Sequence, residues 1–408
     1  MDHHSSNPVA YMIEIVVLLL MAIGTIFVFS AGADVTTSYA LQDFYSFTTL
    51  KQLIFFPLAV VIMYLLAALD YNRLGFARAG IAGSFTPWLL ALAVVLLVYV
   101  LFFGPEKNEA RRWIIVKLAG VAFSFQPSEL AKWSVIFFLA AFLDYFASTI
   151  NLFWKRFVPI CLVAAVVVGL IVTQDFGSAA FISLLTFVML LIGGACWWHF
   201  LVPIAAMIPA FFLVVTTSAT RMNRLKAFFH PETVHADVSY QANESLIAIS
   251  GGRIWGRGLG MGVSKYLHLP EDTTDFIFSI IAEEIGFAGC ILVISLFAIL
   301  VVLGLIVVLR TTDRLGRLLA AGITFALTIQ AAINIGVVTV VLPTKGIPLP
   351  FISAGGTSML LCAAAAGVLV NIARQSCSAD ELRLRRTHSR TWAAQDDKHL
   401  PSFHAPSS

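Results

Sequence analysis

Residues Phe176 to Thr220, FGSAAFISLLTFVMLLIGGACWWHFLVPIAAMIPAFFLVVTTSAT, run for 45 positions without an Asp, Glu, Lys or Arg. A helix needs about 20 mostly apolar residues to cross roughly 30 Å of hydrocarbon, so this stretch holds two crossings. Gly193-Gly194 with Trp197, Trp198 and His199 supplies the interfacial turn between them. Outward from it, uncharged apolar runs lie at Ile15 to Ala33, Leu53 to Leu69, Ala79 to Phe103, Phe157 to Thr173, Ile285 to Leu309 and Leu318 to Leu342. A ninth crossing runs from about Pro127 to Leu143 with charges in its first turns, and a tenth from about Pro350 to Ile372 after a Pro/Gly-rich stretch. The expected fold is therefore an all-α polytopic membrane protein of about ten transmembrane helices.

Composition agrees. The 408 residues are 59% hydrophobic and 12% charged, with a mean hydropathy of +0.89, whereas soluble domains carry about 25% charged residues. Ala31-Gly32-Ala33 resembles a signal-peptide cleavage site. No Lys or Arg precedes the first span, however, and its apolar core is too long, so it reads as a retained helix. The five cysteines, Cys161, Cys196, Cys290, Cys362 and Cys377, lack metal-ligand spacing and read as core residues.

An even number of helices puts both termini on one side. The tail's Arg383, Arg385, Arg386, Arg390 and Lys398 mark that side as cytoplasmic. Residues 1–375 then form a single transmembrane domain. Residues 376–408, polar and Ser-rich, read as a disordered cytoplasmic tail, and residues 218–274 form one long outer loop between helices 7 and 8. Of 26 Lys and Arg, 13 fall inside, 12 outside and Lys132 within a helix, so the charge bias is weak. The outer cations concentrate at Lys107 to Lys117 and Arg221 to Lys265, which suits an anionic ligand or, more plainly, lipid headgroups. The glycines of Gly251 to Gly262 forbid a regular helix there, and no Gly-Lys-Ser/Thr follows a strand, so the segment does not read as a nucleotide-binding loop.

Four constellations carry chemistry. In Gln126-Pro127-Ser128-Glu129-Leu130-Ala131-Lys132, Glu129 and Lys132 share a helix face inside the membrane, either as a neutralised structural pair or in contact with substrate. Asp175, in Gln174-Asp175-Phe176-Gly177-Ser178, stands at a junction of two helices where Gly177 permits a tight reversal; a helix cap is the plain reading. The run Leu342 to Ser358 places three prolines and three glycines at membrane depth, where backbone survives only if protein or a water-filled cavity satisfies it. Its lone Lys345 reads as an anion ligand or a snorkelling surface residue. Asp275 stands where the long loop meets the next helix, beside Phe276 and Phe278. It is a general base if desolvated, or an N-cap.

Taken together, NEARRWI (Asn108 to Ile114), FQPSELAK (Phe125 to Lys132), QDFGS (Gln174 to Ser178), Tyr240 to Gly260, LPEDTTDFIFSIIAEEIG (Leu269 to Gly286) and Asn334 to Ser358 resemble, in order and spacing, the SEDS family (shape, elongation, division and sporulation) over about residues 10 to 375. Pro343-Thr344-Lys345-Gly346 looks closer to its cell-division branch than to its elongation branch. The resemblance implies ten helices with both termini cytoplasmic. It implies polymerisation of lipid II into β-1,4 glycan strands by an inverting glycosyl transfer, with undecaprenyl pyrophosphate leaving. On it, Asp275 matches the family's essential base; Arg111, Arg112, Lys345, Glu129, Lys132 and Ser353 contact substrate; and Asp175, Glu283, Glu284 and Gln241 support them. No metal site is assigned, although a divalent cation, Mg or Mn, could share the phosphate charge. Implied partners are lipid II, undecaprenyl-linked glycan, membrane lipid, a class B penicillin-binding protein acting as septal transpeptidase and other division proteins, but no nucleic acid. The implied location is the bacterial inner membrane at the septum. Thr273, Ala354, Glu244 and Glu109 depart from the family's usual His, Tyr, Gln and Gly. The rival readings are a lipid II translocator, for which broken helices and intramembrane charges suit equally well, and a non-catalytic division scaffold.

Overall fold

The computed structural model describes residues 7–32, 47–78, 80–106, 110–118, 121–229, 236–263, 274–343 and 345–396. Its elements are α1 (Pro8–Ala31), α2 (Phe47–Ala68), α3 (Phe85–Phe103), β1 (Ile114–Leu118), β2 (Val121–Phe125), α4 (Pro127–Tyr145), α5 (Val158–Val172), α6 (Phe176–Ile192), α7 (Leu201–Thr216), α8 (Ala219–Phe229), α9 (Ala236–Gly252), α10 (Ile277–Arg310), α11 (Arg314–Val338) and α12 (Gly356–Asp396).

Among the described residues, eight helical stretches are long and apolar enough to cross a membrane: α1, α2, α3, Phe153–Val172, Trp197–Thr216, α10, α11 and Gly356–Ser376. The other two expected crossings fall on α6 and α4. The first is apolar but only 17 residues long, and the second carries Glu129, Lys132 and Asp144 yet is largely buried. Residues such as Val95, Phe102 and Phe103 point outward and stay exposed, as expected where lipid is the solvent. Small and branched side chains such as Ile13, Leu20, Ile136, Leu319 and Ala366 fill the interior. At one end, Arg374 pairs with Glu14 at 2.6 Å and Tyr71 donates to Asp313 at 2.8 Å.

The opposite end departs from the expectations. Within the long connection after α7, Met222, Leu225 and Phe229 recur at helical spacing, and two helices, α8 and α9, form. The shorter connection between α3 and α4 contains an antiparallel hairpin, with Ile114 opposite Phe125 and Leu118 opposite Val121. Thr357 at the start of α12 donates to Ser124 of this hairpin at 3.0 Å. α12 continues to Asp396, into the segment read as a tail. After Gly367 no Gly or Pro interrupts it before Pro401.

Gly286 interrupts α10 with φ 73° and ψ −161°, which deprives neighbouring peptide groups of their helical partners. The glycine-rich segment after α9 replaces them. Arg257 N donates to Glu283 O at 3.0 Å and Gly258 N to Glu284 O at 2.9 Å, while Phe287 N donates to Arg253 O at 2.9 Å and Ala288 N to Ile254 O at 3.2 Å. Backbone lies on backbone, and a Cβ at Gly256 would stand 2.1 Å from Glu284 O. The glycine pattern that excluded a regular helix is thus a splice across a broken one.

Gly256 has φ +77° with that clash, whereas Gly260 has φ +80° with nothing within 4 Å. Gly260→Ala should therefore cost only the left-handed penalty of about 1 kcal/mol. Gly256→Ala should cost several-fold more, read as a larger drop in melting temperature of the purified protein. Equal losses would refute the splice.

Candidate active site

Asp275 immediately precedes α10, whose N-cap is Phe276. It is placed through main chain. Asn334 Nδ2 donates to Asp275 O at 2.8 Å and to Ile347 O at 2.8 Å, joining the start of α10 to the Pro/Gly-rich segment. Ser353 Oγ donates to Thr274 O at 2.5 Å and accepts from Leu349 N at 2.8 Å. Expected as a substrate contact, Ser353 is a bracket of the scaffold, with its hydroxyl engaged on both sides. The Asp275 Oδ2 lies 2.7 Å from where a Cβ on Gly346 would sit, so the absence of a side chain at Gly346 lets the carboxyl approach the Pro/Gly-rich segment.

Lys345 belongs to the connection between α11 and α12, and its Nζ stands 5.1 Å from the centre of the Phe176 ring. Burial pushes its ammonium below the usual lysine value, and the Asp175 carboxylate pulls it back up. Asp175 is the N-cap of α6, accepting from Ser178 N at 3.0 Å and Ser178 Oγ at 2.7 Å. It therefore does two jobs, capping a helix and facing a cation. Gly177 is helical and makes no reversal; a Cβ there would lie 3.5 Å from Lys345 Cδ.

Gln174 extends the strip to the hairpin connection. Arg112 Nε donates to Gln174 O at 2.7 Å, and Gln174 Oε1 accepts from Arg111 N at 2.8 Å. The Arg111 guanidinium, which lines the same cleft as Arg112, reaches Phe102 O at 3.3 Å and Glu106 at 3.6 Å. Arg112 and Asp175 share a cleft of about 280 Å³ with Leu97, Val100, Leu170 and Ile171. A cationic rim over apolar walls suits a molecule with an anionic head and a hydrocarbon tail.

Glu129 and Lys132 line a second cleft of about 350 Å³ next to Gly346. Lys132 Nζ donates to Glu129 at 2.8 Å and to Gln330 Oε1 at 2.8 Å, and Gln330 Nε2 donates to Pro348 O at 2.8 Å. The pair thus anchors the Pro/Gly-rich segment while bordering the cleft. Glu283 and Glu284 serve elsewhere: the first accepts from Val263 N at 2.9 Å, the second from Ser30 Oγ at 2.6 Å, so they fasten the glycine-rich splice and α1 to α10. Gln241 sits half-buried on α9, one turn before Ser245, whose hydroxyl is 2.8 Å from that of Ser279. No described contact brings Gln241 to Asp275. Ala354 packs against the core, Glu109 and Thr273 lie outside the described residues, and nothing in the structure explains Glu244. No group of three or more His, Cys, Asp or Glu among the described residues could hold a metal ion.

Sequence reasoning passed over Gln174, Gln330 and Asn334 as individual site residues. Gln330 and Asn334 were findable, being polar side chains four apart in an otherwise apolar span.

Residues 10–378 match the family of cell cycle proteins FtsW, RodA and SpoVE. The chain belongs to that family. It is 35% identical over 371 residues to the stage V sporulation protein E of Bacillus subtilis, covering 90% of this chain and 97% of that one. It is also 35% identical over 363 residues to a probable peptidoglycan glycosyltransferase FtsW of Trichlorobacter lovleyi, covering 88% and 91%. A solved structure described as "Structural coordination of polymerization and crosslinking by a peptidoglycan synthase complex" superposes with a TM-score of 0.68 at 25% identity, over 90% of this chain and 98% of that one. SEDS membership and a multi-pass membrane fold follow.

The Glu129–Lys132 side chains are 9% and 4% exposed. Lys132→Met should destabilise by about 3–5 kcal/mol, because it leaves Glu129 charged and unpaired. Adding Glu129→Gln should restore much of that loss, as read by melting temperatures around a double-mutant cycle. An additive pair of losses would show that the two do not act as a unit.

Proposed function

We propose that this protein polymerises lipid II into β-1,4 glycan strands at the outer face of the bacterial cytoplasmic membrane, with ten crossings and both termini in the cytoplasm. The family and its relatives, named as peptidoglycan glycosyltransferases, support the reaction class. The observation that carries the site is the continuous strip Arg112–Gln174–Asp175–Lys345–Gly346–Asp275 at one end of the bundle.

In the reaction, the C4 hydroxyl of an acceptor sugar attacks the anomeric carbon of the donor strand. The new C–O bond forms as the bond to undecaprenyl pyrophosphate breaks. Asp275 takes the hydroxyl proton, and Lys345 and Arg112 neutralise charge on the departing diphosphate. One base suffices because an α-linked donor inverts to a β product, without the second carboxylate that a covalent intermediate demands. The apolar walls beside Arg112, formed by Leu97, Val100 and Leu170, would take the first units of the prenyl chain. Septal wall synthesis in cell division is the role that the FtsW relatives favour. A class B penicillin-binding protein is the partner suggested by the similar structure, whose description joins polymerisation to crosslinking.

Purified protein supplied with lipid II should form glycan strands, and Asp275→Ala should lower that rate by at least about a hundredfold while lipid II still binds. Normal chain formation by Asp275→Ala would overturn the assignment of the base. Loss of glycan strands with cell growth intact would favour a scaffold. A translocator predicts that the variant moves lipid II across vesicles yet that the wild type makes no glycan.

A further inference from the structure

Arg221, in the first turn of α8, received no individual role from sequence, yet its guanidinium is the polar link between two helix ends. Nη2 donates to Val172 O at 3.0 Å and Thr173 O at 2.7 Å, where α5 stops, and Nη1 donates to Val214 O at 3.1 Å in the last turn of α7. α7 needs such a link. Of its residues only Val215 is buried, and its Phe211 meets the bundle at the Phe176 ring, 5.5 Å between centres.

The same ring centres the cationic strip. Arg221 Cζ stands 6.0 Å and Lys345 Nζ 5.1 Å from it, and Arg221 feels both the repulsion of Arg112 and the attraction of Asp175. Three cations thus surround one carboxylate, an excess that matches a doubly charged diphosphate diester. The carbonyls that Arg221 now engages are neutral acceptors. Phosphate oxygens are charged, and hydrogen bonds to them are roughly twice as strong.

We propose that Arg221 is the third cation of the diphosphate site and also the clasp through which diphosphate binding releases the end of α7 from the end of α5. This rests on reading the strip as a diphosphate site. When phosphate oxygens draw the guanidinium off Val214 O, the last turn of α7 loses its tie to α5. The site's occupancy is thereby coupled to the hold on α7.

The test uses the full-length purified protein, inorganic pyrophosphate as probe, inhibition of glycan formation as one readout and hydrogen exchange of the Phe212–Thr217 amides as another. In the wild type, pyrophosphate should inhibit and should speed exchange at the end of α7. Arg112→Ala should raise the inhibitory concentration roughly tenfold or more, which tests the site reading by itself. Arg221→Ala should raise it similarly, and its α7 amides should exchange fast with or without pyrophosphate. Arg221→Lys should keep part of the inhibition, because charge remains, but lose the protection, because an ammonium cannot span both helix ends. If Arg221→Ala is inactive, the pyrophosphate-induced rise in melting temperature replaces inhibition.

Unchanged pyrophosphate sensitivity in Arg221→Ala, with Arg112→Ala shifted, would overturn the proposal while leaving the site reading standing. Wild-type α7 exchange indifferent to bound pyrophosphate would overturn the clasp. A wild type that pyrophosphate neither inhibits nor stabilises would remove the diphosphate site and the clasp with it.

Discussion

Hydrocarbon offers no hydrogen bonds, so each place where this chain leaves helical geometry near the membrane must find partners within the protein. That constraint organises the functional end of the bundle. The break at Gly286 is closed by the glycine-rich segment, the Pro/Gly-rich connection is held by Asn334, Gln330 and Ser353, and the hairpin is tied to α12 through Thr357. None of these repairs is decorative. Irregular backbone is what brings residues from distant parts of the chain to one place, and the repairs make it stable there.

The residues that fix the backbone are also those that border the candidate chemistry. Asp175 caps α6 and faces Lys345; Lys132 neutralises Glu129 and grips Gln330, which in turn holds Pro348. Asn334 places Asp275 through its carbonyl. Asp175 is the helix cap that the sequence suggested, and it faces a cation as well.

The membrane spans were legible because hydrophobic length is a local property. Their ends were less so. The apolar run read from Ile285 belongs to a helix that begins at Ile277 and buries Glu283 and Glu284, charges that the run excluded. The crossing read from Pro350 starts as a helix only at Gly356, because the segment before it is held in irregular geometry, at Ile347 and Pro348, by side chains from α11. Asp275, Lys345 and Arg112 were legible as motif residues, and the fold brings them into one strip. The different partners of Arg111 and Arg112 were not legible in sequence, because they depend on Glu106 and Gln174, neither adjacent to the pair in the chain. Arg221 was hidden for a stronger reason: its acceptors are peptide carbonyls, which leave no mark in sequence.

α7 has a consequence for the setting in which the protein works. With the turn before it, its span Trp197–Thr216 is 20 residues long, close to the minimum that crosses the roughly 30 Å of an average hydrocarbon core. Because little protein contact fixes its tilt, the thickness of the surrounding bilayer will do so instead. The position of Phe211 beside Phe176 is therefore set partly by the acyl chains of the host membrane, which makes α7 a mechanical readout of lipid composition next to the cationic strip.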